Sequence, residues 1–167
     1  MKAVLDLPEP HARALEIILE RVPPDEVPWA LTGSAGMRLQ GVDVPVHDLD
    51  LQSDARGVRE LEARLSDFMR QGVREWVSER TRSLDGKAEI EGVSVELIGD
   101  ICHRAVGGEW SAPPDVAALR VFVEWRSRRV PVMPLEHEAE AYERMGRLEK
   151  AALLREAIRR REEAGDA

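Results

Sequence analysis

Residues 47–52 read His-Asp-Leu-Asp-Leu-Gln, and this alternation constrains the fold more than any other short stretch of the chain. In an extended strand successive side chains point to opposite faces, so Asp48 and Asp50 share one face while Leu49 and Leu51 share the other. Such a strand buries its leucines and turns two carboxylates outward, side by side. Like charges at that spacing repel unless solvent, a basic side chain or a divalent metal stands between them. Upstream lies a glycine-rich turn, Gly33-Ser34-Ala35-Gly36, with thirteen residues between Ser34 and Asp48.

The rest of the chain supplies elements to pack against that strand. Its 167 residues suit a single domain, read as 1–167 with 136–163 as a C-terminal helical extension. Leu15, Ile18, Leu19 and Val22 recur at helical spacing until Pro23-Pro24 end the helix. Pro28 to Leu31 reads as a short buried strand, and a short helix begun at the glycine turn continues through Met37 to Gln40. Val58, Leu61, Leu65, Phe68 and Met69 form an apolar stripe that predicts a helix from Ala55 to Gln71. Lys87 to Asp100 alternates around Glu91-Gly92 and predicts a hairpin pairing Ile90 with Val93, Glu89 with Ser94, Ala88 with Val95 and Lys87 with Glu96. One or two further strands fall between Arg120 and Met133. From Glu136 the chain is helical, interrupted near Gly146, with a tail that frays after Glu163. The fold class is α+β: a small mixed β-sheet with helices packed on it and a helical C-terminal segment.

Composition excludes several functions. A net charge of −8 argues against broad nucleic-acid binding, which needs a basic surface. The single cysteine, Cys102, rules out an internal disulfide and a cysteine-based zinc cage. No apolar run approaches the ~20 residues that a bilayer span requires, and no signal-peptide pattern opens the chain. A cytoplasmic protein is expected. Trp29, Trp76, Trp110 and Trp125 are mostly core candidates, and Lys150 reads as part of a solvated helix face.

The ordered set of Gly33-Ser34, a short helix, Asp48-Leu49-Asp50-Leu51 and a later acidic strand carrying Glu96 resembles the nucleotidyltransferase fold superfamily of polymerase-β type. The likeness is to the small bacterial minor and lincosamide-type members, and it runs from about Trp29 to Lys150. His47 stands where many relatives carry Ser or Thr, and the third acid is Glu where Asp is commoner. The resemblance implies that Asp48, Asp50 and Glu96 are both metal ligands and catalytic residues, with Mg²⁺ (or Mn²⁺) as cofactor. It implies Gly33, Ser34 and Arg38 as the nucleotide-binding residues and an NTP as substrate, with a nucleoside monophosphate passed to an unidentified acceptor hydroxyl and pyrophosphate released.

Physical chemistry agrees with those roles. Amides of a glycine-rich turn at a helix start suit phosphate, and hard carboxylate oxygens suit Mg²⁺. Ordinary structural roles compete at each position. Asp48 and Asp50 could line a solvated edge, Ser34 could cap a helix, and Glu96 could form a cross-strand ion pair with Lys87. If Lys87 neutralises Glu96, the alternative is a non-catalytic nucleotide-binding or antitoxin-like regulatory protein of the same fold. The short chain leaves little for an acceptor pocket, which points to a homodimer or a partner protein.

Overall fold

The computed structural model describes residues 5–165. Helix α1 (Glu9–Arg21) starts after Pro8, with a second proline in its first turn, and buries Ala12, Ala14, Leu15, Ile18 and Leu19. Strand β1 (Ala30–Thr32) runs directly into helix α2 (Gly33–Leu39). Strand β2 (Leu49–Ser53) follows a long loop, and helix α3 (Ala55–Arg64) begins where the Asp54 carboxylate accepts the Gly57 N–H at 2.7 Å.

α3 ends at Arg64, seven residues short of the Gln71 predicted. A single 3₁₀ turn over Ser66–Phe68 leads instead into strand β3 (Met69–Val77). Phe68 and Met69 had looked like a helical stripe, but they lean on the core from a turn and a strand start. β3 is an edge strand in which only Val73 is buried, so it shows no period-two apolar signal.

Strands β4 (Thr81–Ile90) and β5 (Val93–His103) form the predicted hairpin, extended well beyond its expected ends. Its register is the one read from the sequence, with Lys87 opposite Glu96 and Ile90 opposite Val93. Glu91 and Gly92 both have positive φ (54° and 75°), the backbone of a tight two-residue hairpin turn. A short helix, α4 (Val116–Leu119), precedes a second hairpin, β6 (Val121–Trp125) and β7 (Arg128–Val132). Helix α5 (Leu135–Arg144) and helix α6 (Leu148–Glu163) close the chain, with Gly146 at φ 77° between them. The tail expected to fray beyond Glu163 is described only to Gly165; residues 166 and 167, like 1–4, lie outside the described residues.

The sheet has seven strands in the order β3-β4-β5-β2-β1-β7-β6. β2 runs parallel to β5 and β1 parallel to β7, while the other pairs are antiparallel, so the expected mixed sheet is present. One face is covered by α1 and α3: Leu15, Ile18, Val58 and Leu61 pack with Leu49, Leu51, Val95 and Leu97. A second cluster joins Met37 at the end of α2 to Leu135, Ala139 and Tyr142 of α5 and to Ala151, Leu154 and Ile158 of α6. Because strand side chains alternate, burying Leu49, Leu51, Val95 and Leu97 turns Asp50 and Glu96 to the opposite face. Trp29 and Trp125 are buried as expected; Trp76 is half exposed, and Trp110 lies between the Arg82 and Arg104 guanidinium groups. Among the described residues, no helix is long and apolar enough to cross a membrane.

Leu97 is fully buried, and Leu97→Ala should cost about 2–5 kcal/mol in urea unfolding, through lost transfer energy and the cavity left behind. Leu153→Ala, at a half-exposed position of α6, should stay within about 0.5 kcal/mol of the parent.

Candidate active site

The predicted acids meet at the centre of the sheet. Asp50 on β2 and Glu96 on β5 are directly opposite each other in parallel register. Asp48 falls just ahead of β2 rather than within it and is exposed, yet it is near enough for its charge to act on Asp50. Asp85 on β4, which the sequence reading missed, joins them, near enough for its charge to act on both Asp50 and Glu96.

This crowding shows in the acidities. Burial, then the charges of Asp48 and Asp85, raise the Asp50 carboxyl to about 6, against a smaller pull from Lys150. Glu96 is pushed well above the usual carboxylate range, chiefly by burial, then by the charges of Asp85 and Asp50. Lys87, its exposed cross-strand neighbour, opposes this weakly. Asp85 is raised as well, again mainly by burial. The face therefore gathers carboxylates whose ionisation is opposed and whose negative charge has too little positive charge beside it.

Gly33 makes room for Asp50. It sits at φ 70°, and a Cβ built there would lie 2.5 Å from the Asp50 Oδ2. Both the backbone conformation and the close approach call for glycine. Its N–H, however, is already given to Glu138 at 3.0 Å, so it is not free for a phosphate. Ser34 Oγ accepts the His47 N–H at 3.3 Å, which ties the start of α2 to the loop that delivers Asp48. Arg38 is turned elsewhere: its guanidinium donates to the Asp6 carbonyl at 2.6 Å and to Asp43 Oδ1 at 2.9 Å. The structure does not bring Arg38 to the acids.

The C-terminal helices contribute what the sequence reading had left on the surface. Glu138 of α5 is buried, and its Oε1 accepts from both the Gly33 N–H and the Thr32 hydroxyl. Burial, the dominant cause, raises its carboxyl to about 7; the two bonds oppose the shift, and the Asp50 charge adds to it. Tyr142, one turn further along α5, has its phenol raised to about 12, first by burial and then by the charges of Glu138 and Asp50, the latter a smaller effect than that of Arg147. Lys150 lies over the Tyr142 ring, 5.4 Å from its centroid, and its charge reaches both Asp50 and Glu138. Lys150 is half-buried at the site, not part of a solvated face. No motif marked Glu138, because it sits among other acids in a helix whose outer face is wet.

The donor set suits a hard divalent cation: carboxylate oxygens from adjacent strands, short of compensating positive charge. Among the described residues, no three His, Cys, Asp or Glu side chains converge into a ready-made metal cage.

The family model described as aminoglycoside-2''-adenylyltransferase matches residues 14–156, a span that includes Gly33, Ser34, Asp48, Asp50, Asp85, Glu96, Glu138 and Lys150. The crystal structure of a "putative nucleotidyltransferase" from Thermotoga maritima superposes with a TM-score of 0.81 at 38% identity, covering 94% of this chain and 98% of that one. No curated protein matches the chain significantly.

The acidity of Asp50 gives a signed prediction. A carboxyl raised from 3.8 to about 6 on folding opposes the folded state above pH 6, and the penalty fades as pH falls toward 4. Asp50→Asn should therefore stabilise the metal-free protein by on the order of 1–2 kcal/mol at pH 8 and by much less at pH 4.5. Urea unfolding at both pH values checks it, and an equal effect at the two would contradict the assigned cause.

Proposed function

The chain belongs to the aminoglycoside-2''-adenylyltransferase family, and on that premise we propose that it is a magnesium-dependent enzyme that moves a nucleoside monophosphate from an NTP to an acceptor hydroxyl, releasing pyrophosphate. The observation that carries this reading is the carboxylate cluster on the open face of the sheet, where Asp50 stands opposite Glu96 with Asp48 and Asp85 beside them. Repulsion of this kind is costly unless a cation relieves it.

Asp48, Asp50 and Glu96 would hold Mg²⁺, with Mn²⁺ as a substitute. When bound, the metal supplies charge stabilisation to the triphosphate and lowers the barrier to ionising the acceptor hydroxyl. The other roles belong to the chain. With its carboxyl raised, Glu96 is suited to take the proton of the acceptor hydroxyl near neutral pH. That oxygen then forms a bond to the α-phosphorus as the bond from the α-phosphorus to the bridging oxygen breaks and pyrophosphate leaves. The charge of Asp85 helps to keep the Glu96 carboxylate beside it basic. Lys150 is placed to meet phosphate charge above Asp50, and Ser34 offers a hydroxyl at the start of α2. Gly33 serves by leaving space for Asp50, and Arg38 is left out of the nucleotide site because its donors are engaged.

The regulatory alternative depends on Lys87 neutralising Glu96. Lys87 does stand opposite Glu96, but Lys87 is exposed, and burial and the charges of Asp85 and Asp50 make the ionisation of Glu96 harder. The catalytic reading accounts for an acid held in that state. The family's description names an adenylyl group and an aminoglycoside, so ATP and aminoglycosides are the first donor and acceptors to try.

Incubation with Mg²⁺, each α-labelled NTP and an acceptor panel should give a labelled product and pyrophosphate. Glu96→Gln should lower turnover by roughly 10²–10⁴-fold while changing nucleotide affinity little, as expected for a group acting in proton transfer. Asp48→Asn with Asp50→Asn should abolish Mn²⁺ titration without loss of fold by circular dichroism. An unchanged titration in that double variant would remove the metal site.

A further inference from the structure

We propose that Glu138 is a positioning residue for the metal–nucleotide site, holding the backbone beneath Asp50 through its bonds to Thr32 and Gly33. The inference rests on the transferase reading above and assigns a role that reading does not require. Its basis is the position of the two residues that Glu138 binds. Thr32 is the strand partner of Asp50 in the β1–β2 ladder, and Gly33 lies directly under the Asp50 carboxylate. One oxygen, Glu138 Oε1, accepts the Thr32 hydroxyl and the Gly33 N–H, the latter at 3.0 Å. A single side chain of α5 thus fixes the turn from β1 into α2 at the point where its backbone passes the central acid.

The contact is built into the interior. Glu138 is only 5% exposed, too enclosed for a substrate phosphate to replace it on the Gly33 amide. Gly33 at φ 70° has no side chain to hold it in that conformation, so the bond to its N–H is the restraint that the local sequence lacks. The same helix carries Tyr142, with Lys150 of α6 over its ring, so the bond also sets where that cation lies relative to Asp50. Loss of the acceptor leaves the half-buried Gly33 N–H and the Thr32 hydroxyl without their partner, and the turn relaxes to find another. The Asp50 carboxylate, packed on Gly33, moves with it.

Groups that orient a metal ligand without touching the metal typically matter by 10–100-fold in affinity. Glu138→Leu should weaken Mn²⁺ binding, and binding of a non-hydrolysable ATP analogue with Mn²⁺, by about tenfold or more in calorimetry. Glu138→Gln should remain within about threefold of the parent, because an amide oxygen accepts the same two bonds. Thr32→Val removes one bond and keeps the strand, and should give a smaller but measurable loss; it decides the matter if Glu138→Leu does not fold. Leu154→Ala, in the core between α5 and α6, controls for general destabilisation: it should lower Tm and leave both affinities unchanged. Parental affinity in Glu138→Leu and in Thr32→Val, or in Thr32→Val alone where Glu138→Leu is unfolded, overturns the positioning role, as does a comparable loss in Leu154→Ala. If the parent chain itself binds neither Mn²⁺ nor the analogue, the transferase reading fails and this inference falls with it.

Discussion

Asp50 and Glu96 face each other across adjacent parallel strands at the middle of a seven-stranded sheet, and much else in the structure follows from keeping them there. Two acids in parallel register cannot turn away from each other, because alternation gives each strand one choice of face. A slip of one residue would bring the acids into the core and the leucines into water. Leu49, Leu51, Val95 and Leu97 prevent it: each is fully buried beneath α1 and α3. Apolar burial on one face thus sustains electrostatic strain on the other. The strain is local, since Asp48, Asp50, Asp85 and Glu96 all lie near the β4–β5–β2 junction.

Much of the fold was readable because local chemistry matched global need. The β4–β5 register followed from a two-residue turn and strict alternation, and it placed Lys87 opposite Glu96 as read. Gly33-Ser34 and the Asp48–Asp50 pair were readable because a turn needing glycine and two like charges on one face are both unusual in a surface strand. The regions that escaped were those where burial was one-sided or absent. β3 shows a single buried residue, Val73, so no apolar period distinguished it from the end of α3. Asp85 lay in the part of β4 that precedes the alternating stretch, where a bulge between Arg82 and Leu84 breaks the pattern.

Glu138 and Lys150 escaped for a different reason. Each sits in a helix rich in charge, and a charged helical residue is usually solvated. Nothing in the spacing of Glu136, Glu138 and Glu140 tells which of them enters the protein. That depends on where α5 meets the turn between β1 and α2, a contact between residues more than a hundred positions apart. Arg38 shows the converse. Its place one turn into α2 suggested phosphate, but the helix turns it toward the Asp6 carbonyl of the N-terminal segment and toward Asp43 in the loop after α2. One turn of helix is enough to separate it from the acids.

The helices after the sheet are therefore part of the site's construction. α5 presents Glu138 to Gly33 and Tyr142 toward the charges of Glu138 and Asp50, while α6 brings Lys150 over the Tyr142 ring. The face that gathers acids from three strands thus receives one of its few cations from the last helix of the chain. A lone Lys150 cannot balance that many carboxylates, and its pull on Asp50 is the smallest of the four influences acting there. The deficit remains on the side of positive charge, and in the proposed reaction a metal-bound triphosphate would bring both the cation that the acids lack and the phosphates that Lys150 could meet.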